Sequence, residues 1–278
     1  MSVAVFVDSS SCITPELADR FKLRVVPLHL VWEGKEYADW VEMTPKEFYA
    51  RLKTAKTLPT TSGSVQGEFY NAIEEFRGKA DGIVIITLSP NVPSAGYQSA
   101  LMAKDMVEGI PVEVIDSNTV TGSLGLVATA AARAASAGAS LQRVVQAAKS
   151  VIPKMNLFSN PGSISYFLRL GRVAESDIGS REESYIITTK EGKITPSEKY
   201  ATREEARRRI RNLVIEKARK DTPLHVGLFH GAALDEAEEF KKWIASQYNC
   251  AELWIGELPP VVAIHFSPES LGVAFYNE

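Results

Sequence analysis

Short, nearly unbroken apolar runs alternate along the first half of the chain with stretches whose apolar residues recur every three or four positions. The first pattern belongs to strands buried on both faces, the second to helices that pack on one side. Residues 3–7 (Val-Ala-Val-Phe-Val), 82–88 (Gly-Ile-Val-Ile-Ile-Thr-Leu) and 111–115 (Pro-Val-Glu-Val-Ile) read as such strands. Arg24 to Trp32 reads as another, turning at Glu33-Gly34 into a short strand at 35–37. Helices are predicted from Thr14-Pro15 to about Phe21 and from the capping box Thr44-Pro45-Lys46-Glu47 through Leu52. Further helices are predicted from Ser64 through Phe69, Ile73 and Phe76, from Ser94 through Leu101, Met102 and Met106, over about 123–137, and over about 141–152 with Ser140 as cap. The segment Leu58-Pro59-Thr60-Thr61-Ser62-Gly63-Ser64 reads as a loop.

Strands that alternate with helices pair in parallel through right-handed crossovers, which predicts an open, mostly parallel sheet with helices on both faces. In such sheets ligands bind beyond the carboxyl ends of the strands. Three of those ends carry hydroxyl-rich loops: Asp8-Ser9-Ser10, Ser89 to Ser94, and Asp116-Ser117.

Beyond Pro153 the texture changes. Tyr185 to Thr189 and Lys193 to Thr195 flank Glu191-Gly192 as a hairpin, and the capping box Thr202-Arg203-Glu204-Glu205 opens a long charged helix. Leu224 to Phe229 is a predicted strand and Asp235 to Gln247 a helix. Apolar runs at 251–255, 261–266 and 271–276 follow without helical spacing, which predicts a mixed or antiparallel sheet. The expected fold class is therefore α/β, with two α/β domains, 1–153 and 154–278.

Composition narrows the function classes. With 278 residues, 45% hydrophobic and 23% charged, the chain has the make-up of a soluble globular protein. A net charge of -3 gives no basic footprint for nucleic acid. The basic cluster Arg207-Arg208-Arg209-Ile210-Arg211 is flanked by Glu204, Glu205 and Glu216, as on a solvated helix face. The amino terminus lacks the pattern of a signal peptide, and the longest apolar stretch, Leu124 to Ala137, is mostly alanine and interrupted by Arg133, so stable membrane insertion is not expected. Two distant cysteines, Cys12 and Cys250, have no metal or redox spacing, so a cytoplasmic, reduced protein is expected.

No phosphate-binding glycine loop occurs, and Gly122-Ser123-Leu124-Gly125 lacks the third glycine of a dinucleotide fingerprint, so no nucleotide cofactor is expected. The four histidines have no metal-ligand spacing, so no metal is expected. Ser94, His265 and Asp8 or Asp116 could be assembled into a hydrolytic triad, which would make the protein a serine esterase or thioesterase, but the Gly-x-Ser-x-Gly elbow is missing. Thr61, Ser62 and Ser94 form an uncharged hydroxyl set. Such donors, with free helix N–H groups, suit a carboxylate, whereas a phosphate would more often recruit Arg or Lys, absent from Ser89 to Ser99.

Several short motifs, spread over nearly the whole length, carry a resemblance. They are Asp8-Ser9-Ser10, Val26-Pro27-Leu28, Phe48-Tyr49, Pro59-Thr60-Thr61-Ser62, Ser94 with Tyr97-Gln98-Ser99-Ala100, Ile115-Asp116-Ser117, Gly171-Arg172 and His265. In this set the chain resembles the DegV family of fatty-acid-binding proteins, which includes the FakB subunits of fatty acid kinase. The resemblance implies two α/β domains with a long-chain fatty acid, such as palmitate or a similar acid, between them. It implies Thr61, Ser62, Ser94, Ala95 and His265 as ligand-binding residues, with the hydroxyls of Thr61 and Ser94 on the carboxylate and His265 supporting them. It further implies Arg172 as a support for phosphoryl transfer from a separate FakA-like kinase, the chain itself being a carrier without cofactor. Two motifs depart from the family's: Ser-Gly-Thr-Tyr is Ser94-Ala95-Gly96-Tyr97 here, and His-Thr-Gly-Pro-Gly is His265-Phe266-Ser267-Pro268-Glu269.

Overall fold

A computed structural model describes residues 2–62, 65–92, 94–169, 174–178, 180 and 183–278. The amino-terminal lobe is built from β1 (Val3–Asp8), α1 (Pro15–Phe21), β2 (Leu23–Val26), β3 (His29–Trp32), β4 (Lys35–Ala38), α2 (Pro45–Leu52), β5 (Thr60–Thr61), α3 (Gln66–Phe76), β6 (Gly82–Thr87), α4 (Gly96–Asp105), β7 (Val112–Asp116), α5 (Thr121–Ser136) and α6 (Leu141–Val151). Its sheet has the order β2-β1-β6-β7 and every pairing in it is parallel. Every residue of the central strand β6 is buried, as its β-branched run requires. Helices α3 and α4 cover one face of this sheet, α5 and α6 the other.

The carboxy-terminal lobe comprises β8 (Asn156–Asn160), α7 (Ser165–Arg169), β9 (Ser184–Lys190), β10 (Lys193–Tyr200), α8 (Arg203–Lys217), β11 (Leu224–Gly231), α9 (Leu234–Gln247), β12 (Cys250–Glu257), α10 (Pro260–Ala263) and β13 (Ser270–Asn277). Its six-stranded sheet runs β10-β9-β8-β13-β11-β12 and is mixed, with β11 and β12 parallel across α9 and the other pairs antiparallel. The α/β fold expected from the sequence, with a parallel sheet in one lobe and a mixed sheet in the other, is thus present.

Four local expectations are corrected. The apolar run Arg24 to Trp32 is two strands in different sheets, because Pro27 offers no N–H to a ladder and Leu28 N donates to Ser9 Oγ at 3.1 Å instead. The segment 261–266 is no strand: Pro260 opens α10, a one-turn helix buried on all sides. The loop before α3 contains a short strand, since Thr60 and Thr61 pair antiparallel with Val31 and Leu30. Helix α4 begins at Gly96 with Ala95 at the N-cap position, two residues after Ser94, and Ser140 caps α6 by its backbone conformation without a side-chain hydrogen bond. Ser64, the expected cap of α3, lies outside the described residues.

Helix α5 holds the lobes together. It packs on β1 and β6 of one sheet and on β11 and β13 of the other, and its first twelve residues are all buried. Its small side chains are what this position demands. A Cβ on Gly125 would lie 2.7 Å from the Ser11 carbonyl oxygen and 2.9 Å from the Trp254 ring, and one on Gly122 would lie 2.7 Å from Phe229. Polar ties reinforce the contact. The guanidinium of Arg133 bonds Glu252, a buried carboxylate that also accepts from Trp254 Nε1 at 2.7 Å and meets His225 Nδ1 at 3.2 Å. Burial alone would raise the Glu252 pKa, but the His225 bond, the charge of Arg133 and the other bonds hold it below the ordinary glutamate value.

Asp8 and Asp39 are two further fully buried acids between the lobes. Asp39 Oδ1 accepts from Val261 N of α10 at 3.3 Å. Burial pushes Asp39 up to about 7 and Asp8 up to about 6, partly offset by hydrogen bonds, and the charge of Asp8 raises Asp39 further.

Two outcomes follow from this packing. Gly125→Val should cost about 1–3 kcal/mol in urea unfolding because it overpacks the seam, whereas Gly67→Ala, whose Cβ meets open space in α3, should be neutral or stabilising by up to about 1 kcal/mol. Between the ordinary aspartate value of 3.8 and about 7 the folded state holds a proton on Asp39 that the unfolded state does not, so this contribution is full at low pH and is lost as pH rises through that window. Unfolding measured at pH 5 and pH 8 should therefore show Asp39→Asn gaining stability relative to wild type at the higher pH, and an unchanged difference would contradict it.

Candidate functional site

The carboxyl end of β1 runs into a tight turn, Ser9–Ser11, that Asp8 caps by accepting from Ser10 N at 3.0 Å and from the Ser10 hydroxyl. The other carboxylate oxygen of Asp8 accepts from Leu88 N at 2.8 Å, so this one buried acid fixes the ends of β1 and β6 together. After β6 the chain passes Ser89 and Asn91 and reaches Ser94, whose Oγ accepts from Gly96 N at 3.2 Å. That bond satisfies one free amide of the α4 N-terminus and leaves the Ser94 O–H to donate. Gly96 is buried, and a Cβ there would lie 3.3 Å from Leu88 Cδ2, so the glycine that follows Ala95 admits close packing over the strand end.

Thr61 reaches the same place from the small sheet β4-β3-β5, where it pairs with Leu30. Ser62 N donates to the His29 carbonyl at 2.9 Å. The His29 ring lies between two acids, Nδ1 at 3.1 Å from Glu36 and Nε2 at 3.0 Å from Glu68, which fastens the β3–β4 hairpin to α3 on either side of the hydroxyl segment. Hydrogen bonds from Ser62 and His29 hold the Glu36 carboxyl below the usual glutamate range.

The other lobe contributes α10, β8 and the β9–β10 hairpin. The α10 turn presents Val261, Val262, His265 and Phe266, and His265 is buried with its backbone N–H bonded to the Val262 carbonyl at 2.9 Å. Just beyond it Ser267 Oγ donates to the Pro161 carbonyl at 2.9 Å and accepts from Ser163 N at 2.8 Å. Glu269 faces outward onto Arg203, so its charge is directed away from the cavity. At the tip of the β9–β10 hairpin Glu191 and Gly192 both have positive φ, 51° and 74°, which is the two-residue turn that Gly favours. This tip docks on the first lobe, with Asn91 Nδ2 donating to the Glu191 carbonyl at 3.0 Å.

These elements enclose a cavity with about 830 Å³ of non-atom space, counting its open mouth. Thr61, Ser62, Ser94, Ala95 and His265 all line it, so five of the six residues expected from the sequence come together. Arg172 lies outside the described residues. Most of the remaining wall is aliphatic or aromatic, with Leu28, Leu88, Val120, Leu157, Ile187 and Phe266 prominent. Among the described residues its lining contains no Lys or Arg, and the polar groups that could hold an anion there are hydroxyls, helix amides and imidazole.

Sequence reasoning missed Thr121, Ser159 and His29 as wall residues. The apolar pattern places His29 inside one long strand, and only the proline two residues earlier marks the change of sheet that brings it here. Of the acids considered for a hydrolytic triad, Asp8 bonds Ser10 and Leu88, and Asp116 bonds Asn118 N at 2.6 Å. His225 belongs to the Arg133–Glu252 network, and His230 accepts from Ala233 N at 3.3 Å with its pKa lowered to about 4 by burial. Among the described residues no cluster of three or more His, Cys, Asp or Glu could hold a metal ion, and no helix is long and apolar enough to cross a membrane. The arginines of α8 are largely paired, Arg207 with Glu236, Arg203 with Glu269, and Arg209 with Glu198 at 2.9 Å and with Glu216.

Comparison with known proteins agrees with this architecture over its whole length. A DegV domain-containing protein of Halalkalibacterium halodurans is 31% identical over 280 residues, covering 99% of each chain. The crystal structure of DegV, described as a fatty acid binding protein from Bacillus subtilis, superposes with a TM-score of 0.91 at 27% identity, covering 100% of both chains. A stearic acid-binding protein from Eubacterium ventriosum shares the fold at 21% identity, with a TM-score of 0.87 over 99% of this chain and 98% of that one. Residues 2–278 match the family described as "Uncharacterised protein, DegV family", and the chain belongs to that family.

Proposed function

We propose that this protein is a cytoplasmic carrier that binds a long-chain fatty acid in the interlobe cavity, with the acyl chain among the apolar wall residues and the carboxylate at the hydroxyls of Thr61 and Ser94. Ser62 and Ala95 complete the seat of the head group and His265 supports it. One observation carries this reading: among the described residues the cavity is apolar over most of its wall, and its polar groups are hydroxyls and imidazoles without a lysine or arginine. Burying alkyl chain yields about 0.8 kcal/mol per methylene, so the tail supplies affinity while a few hydroxyls fix orientation. The descriptions of the Bacillus subtilis and Eubacterium ventriosum proteins as binders of fatty acid and stearic acid support the choice of ligand.

The carrier needs no cofactor of its own. In this reading it presents the bound acid to a separate FakA-like kinase subunit, where a carboxylate oxygen attacks the terminal phosphoryl group of ATP to give the acyl phosphate and ADP. Arg172 is assigned to support of that transfer and not to retention of the acid.

Native mass spectrometry of protein purified without added lipid should show a mass excess matching a long-chain acid such as palmitate, and a bare polypeptide mass that persists after incubation with palmitate would refute the proposal. Ser94→Ala should weaken palmitate binding by roughly 1–3 kcal/mol, the range for a hydrogen bond to a charged group. Arg172→Ala should leave palmitate affinity intact while slowing acyl phosphate formation by the kinase, and a large loss of affinity would reassign that residue to the head group.

A further inference from the structure

Three unusual features coincide at Thr121, the first residue of α5. Its φ is +52°, a left-handed conformation that is costly for a β-branched side chain. Its residue exposure is 3%, and its hydroxyl oxygen is buried without a hydrogen-bond partner among the described residues. The helix it opens is 16 residues long, and its N-cap residue is Val120, which has no side-chain acceptor to satisfy the free amides of the first turn. Both Val120 and Thr121 line the cavity. A buried hydroxyl without a partner costs about 1–3 kcal/mol, and strain of this kind persists where something else requires it.

The topology separates this spot from the head-group seat. Ser94 stands at the start of α4, which covers the face of the parallel sheet shared with α3. Thr121 stands at the start of α5, which covers the opposite face and abuts the second lobe. Ser94 and Thr121 nevertheless line the same cavity, so a chain whose carboxylate sits at Ser94 can reach Thr121. An unsubstituted chain brings nothing that can bond a hydroxyl or a helix amide at that point.

Resting on the fatty-acid reading above, we infer that Thr121 and the first-turn amides of α5 form a second polar subsite in the cavity, which recognises an oxygen substituent on the acyl chain of a hydroxy or oxo fatty acid. Thr121 can donate its proton to such an oxygen, and the oxygen can in turn accept from the helix amides. The polar group then stays on the ligand, and the aliphatic wall on either side continues to select a long chain.

The test compares stearate with 9-, 10- and 12-hydroxystearate for binding to the full-length protein, in the wild type and in Thr121→Val and Thr121→Ser. Wild type should bind at least one hydroxystearate about three- to ten-fold more tightly than stearate, as for one net hydrogen bond. Thr121→Val keeps the branched shape and removes the hydroxyl, so it should abolish that preference by lowering hydroxystearate affinity more than stearate affinity. Thr121→Ser should retain the preference. Stearate binding with no preference for any hydroxylated isomer, or an equal loss for stearate and hydroxystearate in Thr121→Val, would overturn this inference alone. Failure of wild type to bind stearate at all would overturn the fatty-acid reading and the inference with it.

Discussion

The architecture depends on the close approach of helix α5 to two sheets at once. A helix covered on two sides cannot present large residues in both directions without pushing the sheets apart, and here Gly122 and Gly125 of the helix meet the large rings of Phe229 and Trp254. Trp254 in turn donates to the buried Glu252, which Arg133 of α5 neutralises. One helix thus carries both the packing and the polar cross-link, so the lobes are set at a fixed spacing along it. Beyond its amino-terminal end the same spacing is left open, and that opening is the cavity.

Within this frame the polar groups of the cavity are positioned by buried and paired acids around it. Asp8 ties the ends of β1 and β6, Asp39 reaches across to α10, and His29 links the two sides of the Thr61 segment through Glu36 and Glu68. A seat made of hydroxyls has little long-range attraction for an anion, so its selectivity rests on placement. Buried or clasped acids behind the wall provide that placement without putting a charge in it, and the outward turn of Glu269 serves the same end.

Much of this could be read in the sequence, and the failures have a common cause. The strands β1 and β6 are continuous apolar runs, and β7 is one broken only by Glu113, each followed by a hydroxyl-bearing loop, so their existence and the placing of a cavity at their carboxyl ends were legible. The capping boxes at Thr44 and Thr202 marked their helices correctly, because a cap is a local device. Where the outcome depends on distant partners, local pattern was insufficient. The apolar run at 261–266 is buried against the first lobe, and burial on all sides gives a short helix the same composition as a strand. The division of Arg24 to Trp32 between two sheets depends on where Leu28 finds its acceptor, which is Ser9 in another element. The alanine-rich stretch was recognisable as helix, but its place between two sheets, and with it the role of Gly122, Gly125 and Thr121, is a property of the assembled fold.

The central claim is that the opening between the lobes is an acyl-chain site with its polar end at Ser94 and Thr61. The most direct measurement is a crystal structure of the protein purified without added lipid and then soaked with palmitate. The account predicts continuous, tube-shaped density running between Leu157, Ile187 and Phe266, with its branched end within hydrogen-bond distance of the Ser94 and Thr61 hydroxyls. Side chains closed over the opening with no room for a chain, or density whose branched end lies away from those hydroxyls, would contradict it.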